Sequence, residues 1–124
     1  MNEKGPRDLK ERTREFALRV IRLYSSLPKS TTAQVIGKQV LRAGTSVGAH
    51  YREACRAKSN ADFINKLEGA LQELEETGYW LELLVGASMV SGEMLAALQQ
   101  EAEELTAILV TIVKGAKARR SPKG

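Results

Sequence analysis

The chain has 124 residues, 43% of them apolar and 27% charged, with a formal net charge of +4. That is the length of a single domain and the composition of a chain able to bury a core, which excludes intrinsic disorder. A lone cysteine, Cys55, and a lone histidine, His50, exclude an internal disulfide framework, a cysteine zinc site and histidine-rich metal centres.

In chain order, apolar residues recur at helical spacing. A first helix is expected over residues 8–27, carried by Leu9, Phe16, Val20, Tyr24 and Leu27 and stopped by Pro28. A second, over 31–58, follows the hydroxyl-rich cap Ser30-Thr31-Thr32 and carries Ile36, Val40, Ala43, Val47, Tyr51 and Ala54. A third, over 60–87, starts after the cap Ser59-Asn60 with Asp62 in its first turn, and carries Phe63, Leu67, Leu71, Leu74, Leu81 and Val85. A fourth, over 92–117, follows Ser91 and carries Leu95, Leu98, Ala102, Leu105, Leu109, Ile112 and Ala116. No period-two alternation persists, so strands are not expected. Residues 118–124 read as a basic, mobile tail of the same domain. Short connections make neighbouring helices antiparallel, which gives an all-α, up-down-up-down four-helix bundle.

The N-terminal run MNEKGPRDLKERTRE lacks the apolar core of a secretory signal, and no apolar run reaches the ~18 residues of a membrane span. A cytoplasmic protein with no membrane partner is the expectation.

The second helix contains Gly37, Gly44 and Gly48, with Ala33 and Cys55 near the same face. Glycine inside a helix costs about 1 kcal/mol relative to alanine, so the stripe needs a cause. Close approach of a neighbouring helix is one; backbone left open for a ligand, or a kink, is the other. Cys55 on this stripe reads as a small packed side chain.

Charge is segregated along the chain. Residues 1–58 carry thirteen Lys/Arg and five Asp/Glu; residues 59–112 carry Lys66 against ten acids; residues 113–124 carry five bases and no acids. Two readings follow. Basic and acidic faces can meet within the bundle or between subunits of a head-to-tail ring. Alternatively, Arg12, Arg14, Arg19 and Arg22 of the first helix, with Lys114, Lys117, Arg119 and Arg120 near the C-terminus, form a phosphate-binding surface for RNA or DNA. No aromatic platform is interleaved with these bases, so recognition by base stacking is not expected.

A polar stripe runs along the second helix through Gln39, Arg42, Ser46, His50 and Glu53, at steps of three, four, four and three. The third helix offers Lys66, Glu73 and Glu76. A hairpin folded about Ser59-Asn60 pairs position i with roughly 119 − i, setting Arg42 against Glu76, Ser46 against Glu73 and Glu53 against Lys66. A partly buried network between the two helices is therefore expected. A di-iron site needs two Glu-x-x-His motifs and this chain has none. His50 and Glu53 could form an acid–base pair, but no nucleophile or phosphate cradle accompanies them. No enzyme activity, cofactor or metal is expected.

The pattern Gln39-x-x-Arg42-Ala43-x-x-Ser46-x-x-Ala49, then Glu53, Ser59-x-x-x-Phe63 and Ala70-x-x-Glu73-x-x-Glu76-Thr77-x-Tyr79-Trp80-Leu81 resembles the bacterial four-helix-bundle proteins named for members encoded in intervening sequences of large-subunit ribosomal-RNA genes. The resemblance spans about residues 8–117. It departs at position 50, where the family's usual asparagine is His50. It implies an up-and-down four-helix fold and assembly into a homopentameric ring. The chain is also distantly similar, in architecture, to the accessory proteins of diversity-generating retroelements, which implies a reverse transcriptase as a partner. The combined expectation is a non-enzymatic, oligomeric accessory or scaffold protein that binds RNA or DNA. The alternative is a protein–protein adaptor whose charge asymmetry serves ring assembly alone.

Overall fold

The computed structural model describes the backbone of residues 6–120 and the side chains of residues 9–119. Four helices follow one another: α1 (Pro6–Ser26), α2 (Thr31–Cys55), α3 (Asn60–Gly86) and α4 (Gly92–Arg120). Each packs against its neighbours in sequence, and α4 closes the bundle against α1. The seam between α2 and α3 is the most extensive and that between α1 and α4 the sparsest. The core runs the length of the bundle, with Phe16, Val20, Val40, Val47, Leu67, Leu81, Leu105 and Leu109 nearly or wholly shielded from solvent. These are the residues repeating at three and four along each helix, which is why the four stripes meet.

The helix starts follow local chemistry. The Ser30 hydroxyl accepts from the Ala33 N–H at 3.2 Å, the Ser59 hydroxyl from the Asp62 N–H at 3.0 Å, and the Ser91 hydroxyl from the Met94 N–H at 3.1 Å. Each satisfies an amide that the helix itself leaves without a partner. Pro6 sits at the first position of α1, where its missing N–H costs nothing. α3 ends in a Schellman arrangement: the Ser88 N–H donates to the Val85 carbonyl and the Met89 N–H to the Leu84 carbonyl, each at 2.9 Å. Ser88 takes the left-handed conformation there, at φ 63°, a position that usually holds glycine.

The boundaries differ from expectation by more than one residue at three places. α2 ends at Cys55, three residues early, because Arg56 (φ −108°, ψ 14°) turns its N–H back onto the Ala54 and Glu53 carbonyls and frees residues 56–59 for the loop. α1 starts two residues early, at Pro6. α4 continues through Arg120, so residues 118–120 of the expected mobile tail are helical. The remainder of that tail, 121–124, lies outside the described residues.

The glycine stripe is a contact stripe. A methyl group added at Gly44 would come within 2.7 Å of Val20, one at Gly37 within 2.5 Å of Leu27, and one at Gly48 within 3.2 Å of the Thr13 hydroxyl. α1 thus lies close on the α2 backbone, and the ligand or kink alternatives are not needed. Thr13 is fully buried in this seam and satisfies its hydroxyl internally, donating to the Leu9 carbonyl at 2.8 Å. Cys55 does not belong to the packed stripe. It is exposed, because α2 ends there and α1 extends only a few residues past it.

Candidate functional site

Two sets of side chains were singled out, the basic residues of α1 and α4 and the polar stripe between α2 and α3. The bundle treats their members differently.

Arg12 points across the sparse α1–α4 seam. Its Nε donates to Glu101 Oε2 at 3.1 Å and its Nη2 to Glu101 Oε1 at 2.8 Å, a bidentate fork. Nη2 also donates to Glu104 Oε1 at 3.1 Å. The Glu104 carboxyl is held below the usual carboxylate range, first by the Gln100 amide and then by Arg12. Lys117 Nζ sits 2.9 Å from Glu68 Oε2, joining α4 to α3. Arg14 is 3.4 Å from its neighbour Glu15, with both side chains more than half exposed. Arg19 and Arg22 flank a shallow groove floored by Leu23, Met94, Leu95 and Leu98. Among the described residues, Arg19, Arg22, Lys114 and Arg119 have no carboxylate partner. The side chain of Arg120 lies outside the described residues.

The eight residues therefore do not form one uniform surface. Arg12 is engaged by two carboxylates across the α1–α4 seam, and Lys117 pairs with Glu68 at the surface, so neither is an unpaired cation. Sequence reasoning missed the partners Glu101, Glu104 and Glu68. The available signal was the spacing of Glu101 and Glu104, three apart and so on one helical face, at a height that an antiparallel α4 sets opposite Arg12.

On the other side, Arg42 bridges α2 to α3. Its Nη2 donates to Glu76 Oε1, its Nη1 to Glu73 Oε1 at 3.3 Å, and its Nε to Gln39 Oε1 at 3.4 Å. The hydrogen bond to Glu76 raises the guanidinium above its ordinary, already high, value. His50 lies between two carboxylates, with Nδ1 3.7 Å from Glu53 Oε1 and Nε2 3.8 Å from Glu73 Oε2. Both separations exceed hydrogen-bond length. The imidazole rests against Gly69, where an added methyl would stand 3.1 Å from Nδ1. Gly69 thus makes the room that a histidine needs at position 50, and sequence reasoning did not connect the two.

Two expected pairs do not form. The Ser46 hydroxyl donates to the Arg42 carbonyl one turn back at 2.7 Å, not to Glu73. Lys66 turns to Asp62 on its own helix at 3.3 Å, and Glu53 faces His50. In both cases a partner on the same helix is nearer than the one across the seam. The network is also more open than expected, since the Arg42 side chain is 50% exposed and water screens it.

Among the described residues, no group of three His, Cys, Asp or Glu is placed to hold a metal ion, and no helix is long and apolar enough to cross a membrane. Tyr79 is half exposed and stacks at a tilt on Trp80, ring centroids 5.1 Å apart. The Trp80 indole N–H is buried without a hydrogen-bond partner.

A four-helix bundle with Arg42 braced between two glutamates of α3 is the frame in which the wider comparisons have meaning. Residues 7–111 match the family described as 23S rRNA-intervening sequence protein. The chain belongs to that family. It is also similar to a crystal structure from Bacteroides thetaiotaomicron VPI-5482, described as a protein of unknown function from the S23 ribosomal protein family. The two share 42% sequence identity and superpose with a TM-score of 0.83, over 88% of this chain and 97% of the other. No curated protein matches the chain significantly. The family resemblance of the sequence and the four-helix fold thus stand together.

Proposed function

We propose that this protein is a non-enzymatic helical scaffold that holds nucleic-acid phosphates electrostatically, acting in the cytoplasm as an assembly of identical subunits. One observation carries the reading. After the bundle has formed its internal braces, the cations left without carboxylate partners are concentrated on α1, α2 and the adjoining bundle end. Arg19, Arg22, Lys38, Arg52, Arg56, Lys58, Lys114 and Arg119 all belong to this set among the described residues. Such open cations attract phosphate without reading base sequence, and the affinity they give falls as salt rises. Arg19 and Arg22 are the central pair, and Arg12 serves to hold α1 in place.

A second observation favours self-association. The groove between α3 and α4 is lined by Glu75, Glu82 and Glu103 around Gly78, where nothing approaches within 4 Å of an added methyl group. An open acidic groove on one side and an unpaired basic face on the other suit a heterologous, ring-closing contact. A homopentamer is the assembly that the family likeness suggests, and a reverse-transcriptase partner follows only from the more distant retroelement likeness. If the two charged faces cover each other completely, the protein is an adaptor for other proteins and nucleic acid has no place on it.

Binding to single-stranded RNA, duplex RNA and DNA, measured against salt, tests the proposal. Affinity should fall steeply with salt, and Arg19→Glu with Arg22→Glu should weaken it about tenfold or more while leaving the helical content unchanged. Absence of retention on all three at low salt refutes the phosphate-holding role and leaves the adaptor. Light scattering of the pure protein reads the assembly independently.

A further inference from the structure

At the end of the bundle where α1 begins and α4 finishes, the sparse α1–α4 seam opens into a cavity of ≈ 1010 Å³. Its walls are apolar, formed chiefly by Leu9, Tyr51, Phe63, Ile108 and Ile112. It is the size of a small-molecule site, and apolar walls with few convergent polar groups are the usual make-up of one. Burial pushes the Tyr51 phenol well above its ordinary range, and its hydrogen bond with Cys55 adds to that. The phenol therefore stays neutral, and none of the described side chains that line the cavity is a carboxylate.

The rim has one sign of charge. Lys58, in the loop after α2, and Arg119, near the end of α4, both line the cavity, are exposed, and have no carboxylate partner among the described residues. Arg12 also borders it, but Glu101 and Glu104 engage that guanidinium. A greasy chamber with two open cations at its mouth is complementary to a molecule with an alkyl tail and a single anionic head. We propose that this cavity binds a free long-chain carboxylate, with the tail between Phe63, Ile108 and Ile112 and the carboxylate at Lys58 and Arg119. The central phosphate-holding pair, Arg19 and Arg22, flanks a different groove, while Lys58 and Arg119 are members of the wider set of open cations that this cavity would draw on.

Isothermal titration of the full chain with decanoate, octanoate and decanol tests it. Decanoate should bind saturably at one per chain. Octanoate should bind about fifteenfold more weakly, since each buried methylene is worth roughly fourfold in affinity. Decanol should bind at least about tenfold more weakly than decanoate, for want of the head charge. Lys58→Gln with Arg119→Gln, both at exposed positions, should bring decanoate down to the level of decanol with melting unchanged. Ile112→Gln should weaken both ligands together. Four results would overturn the proposal. The first is no saturable heat with decanoate. The second is decanol binding as tightly as decanoate. The third is a double variant that binds like the parent. The fourth is decanoate affinity that falls as protein concentration rises, which would assign the cavity to a second copy of the chain.

Discussion

α1 meets its two neighbours in opposite ways. Against α2 it lies on a glycine track, with Val20, Leu27 and Thr13 filling the spaces over Gly44, Gly37 and Gly48. Against α4 it is held by one arginine fork and few other contacts, with a cavity at one end and a shallow groove towards the other. The first seam is close, and any added volume must be accommodated by its neighbours. The second is bridged by charge and has room to spare. The difference shows that α1 is positioned mainly by α2, and that its α4 side is the loosely packed one.

Four substitutions break or sharpen this contrast. The largest effect is expected at Gly44→Ala. The helix gains about 1 kcal/mol of propensity, but the methyl meets the branched end of Val20, and overpacking of this kind costs about 1–3 kcal/mol. Chemical denaturation should show a net loss of up to about 2 kcal/mol, whereas a gain in stability would mean that the seam is looser than it looks. Next is Arg12→Met, which removes the fork across the open seam and leaves Glu101, 18% exposed, without its partner. A loss of about 1 kcal/mol is expected at low salt and a smaller one at high salt; a salt-independent loss would point to packing by the arginine stem instead.

Gly78→Ala is the control for Gly44. Its added methyl meets nothing, so only propensity acts and stability should rise by about 0.5–1 kcal/mol. The smallest effect belongs to Glu104. Its carboxyl is depressed in the folded chain, so its contribution is present above the unfolded value of about 4.3 and is lost as pH falls through the folded one. Glu104→Gln should lower the melting temperature slightly near neutrality and leave it unchanged well below the folded value, so that the acid limb of the profile flattens.

Which parts of this were legible in the sequence depended on the distance over which each feature is decided. The caps at Ser30, Ser59 and Ser91 are visible because a serine reaches an amide only three residues on. The Arg42 bridge to Glu76 is visible because one short turn fixes the register of α2 on α3, whereas its second contact, to Glu73, was assigned to Ser46. Ser46 and Lys66 were misread because a partner on the same helix, four residues away, competes with the one across the seam. Cys55 was misread because its burial depends on where α2 stops and where α1 begins, at opposite ends of the chain pair.

Sequence alone determined the four helices, their order, the small-residue track and the segregation of charge, since each follows from spacing and composition along a continuous run of residues. Tertiary structure alone decided which cations are braced and which are open. Arg12 and Arg19 are seven residues apart on one helix, yet α4 sets two carboxylates beside the first and none beside the second. Coulomb attraction depends on separation in space, and folding sets that separation for residues nearly ninety positions apart.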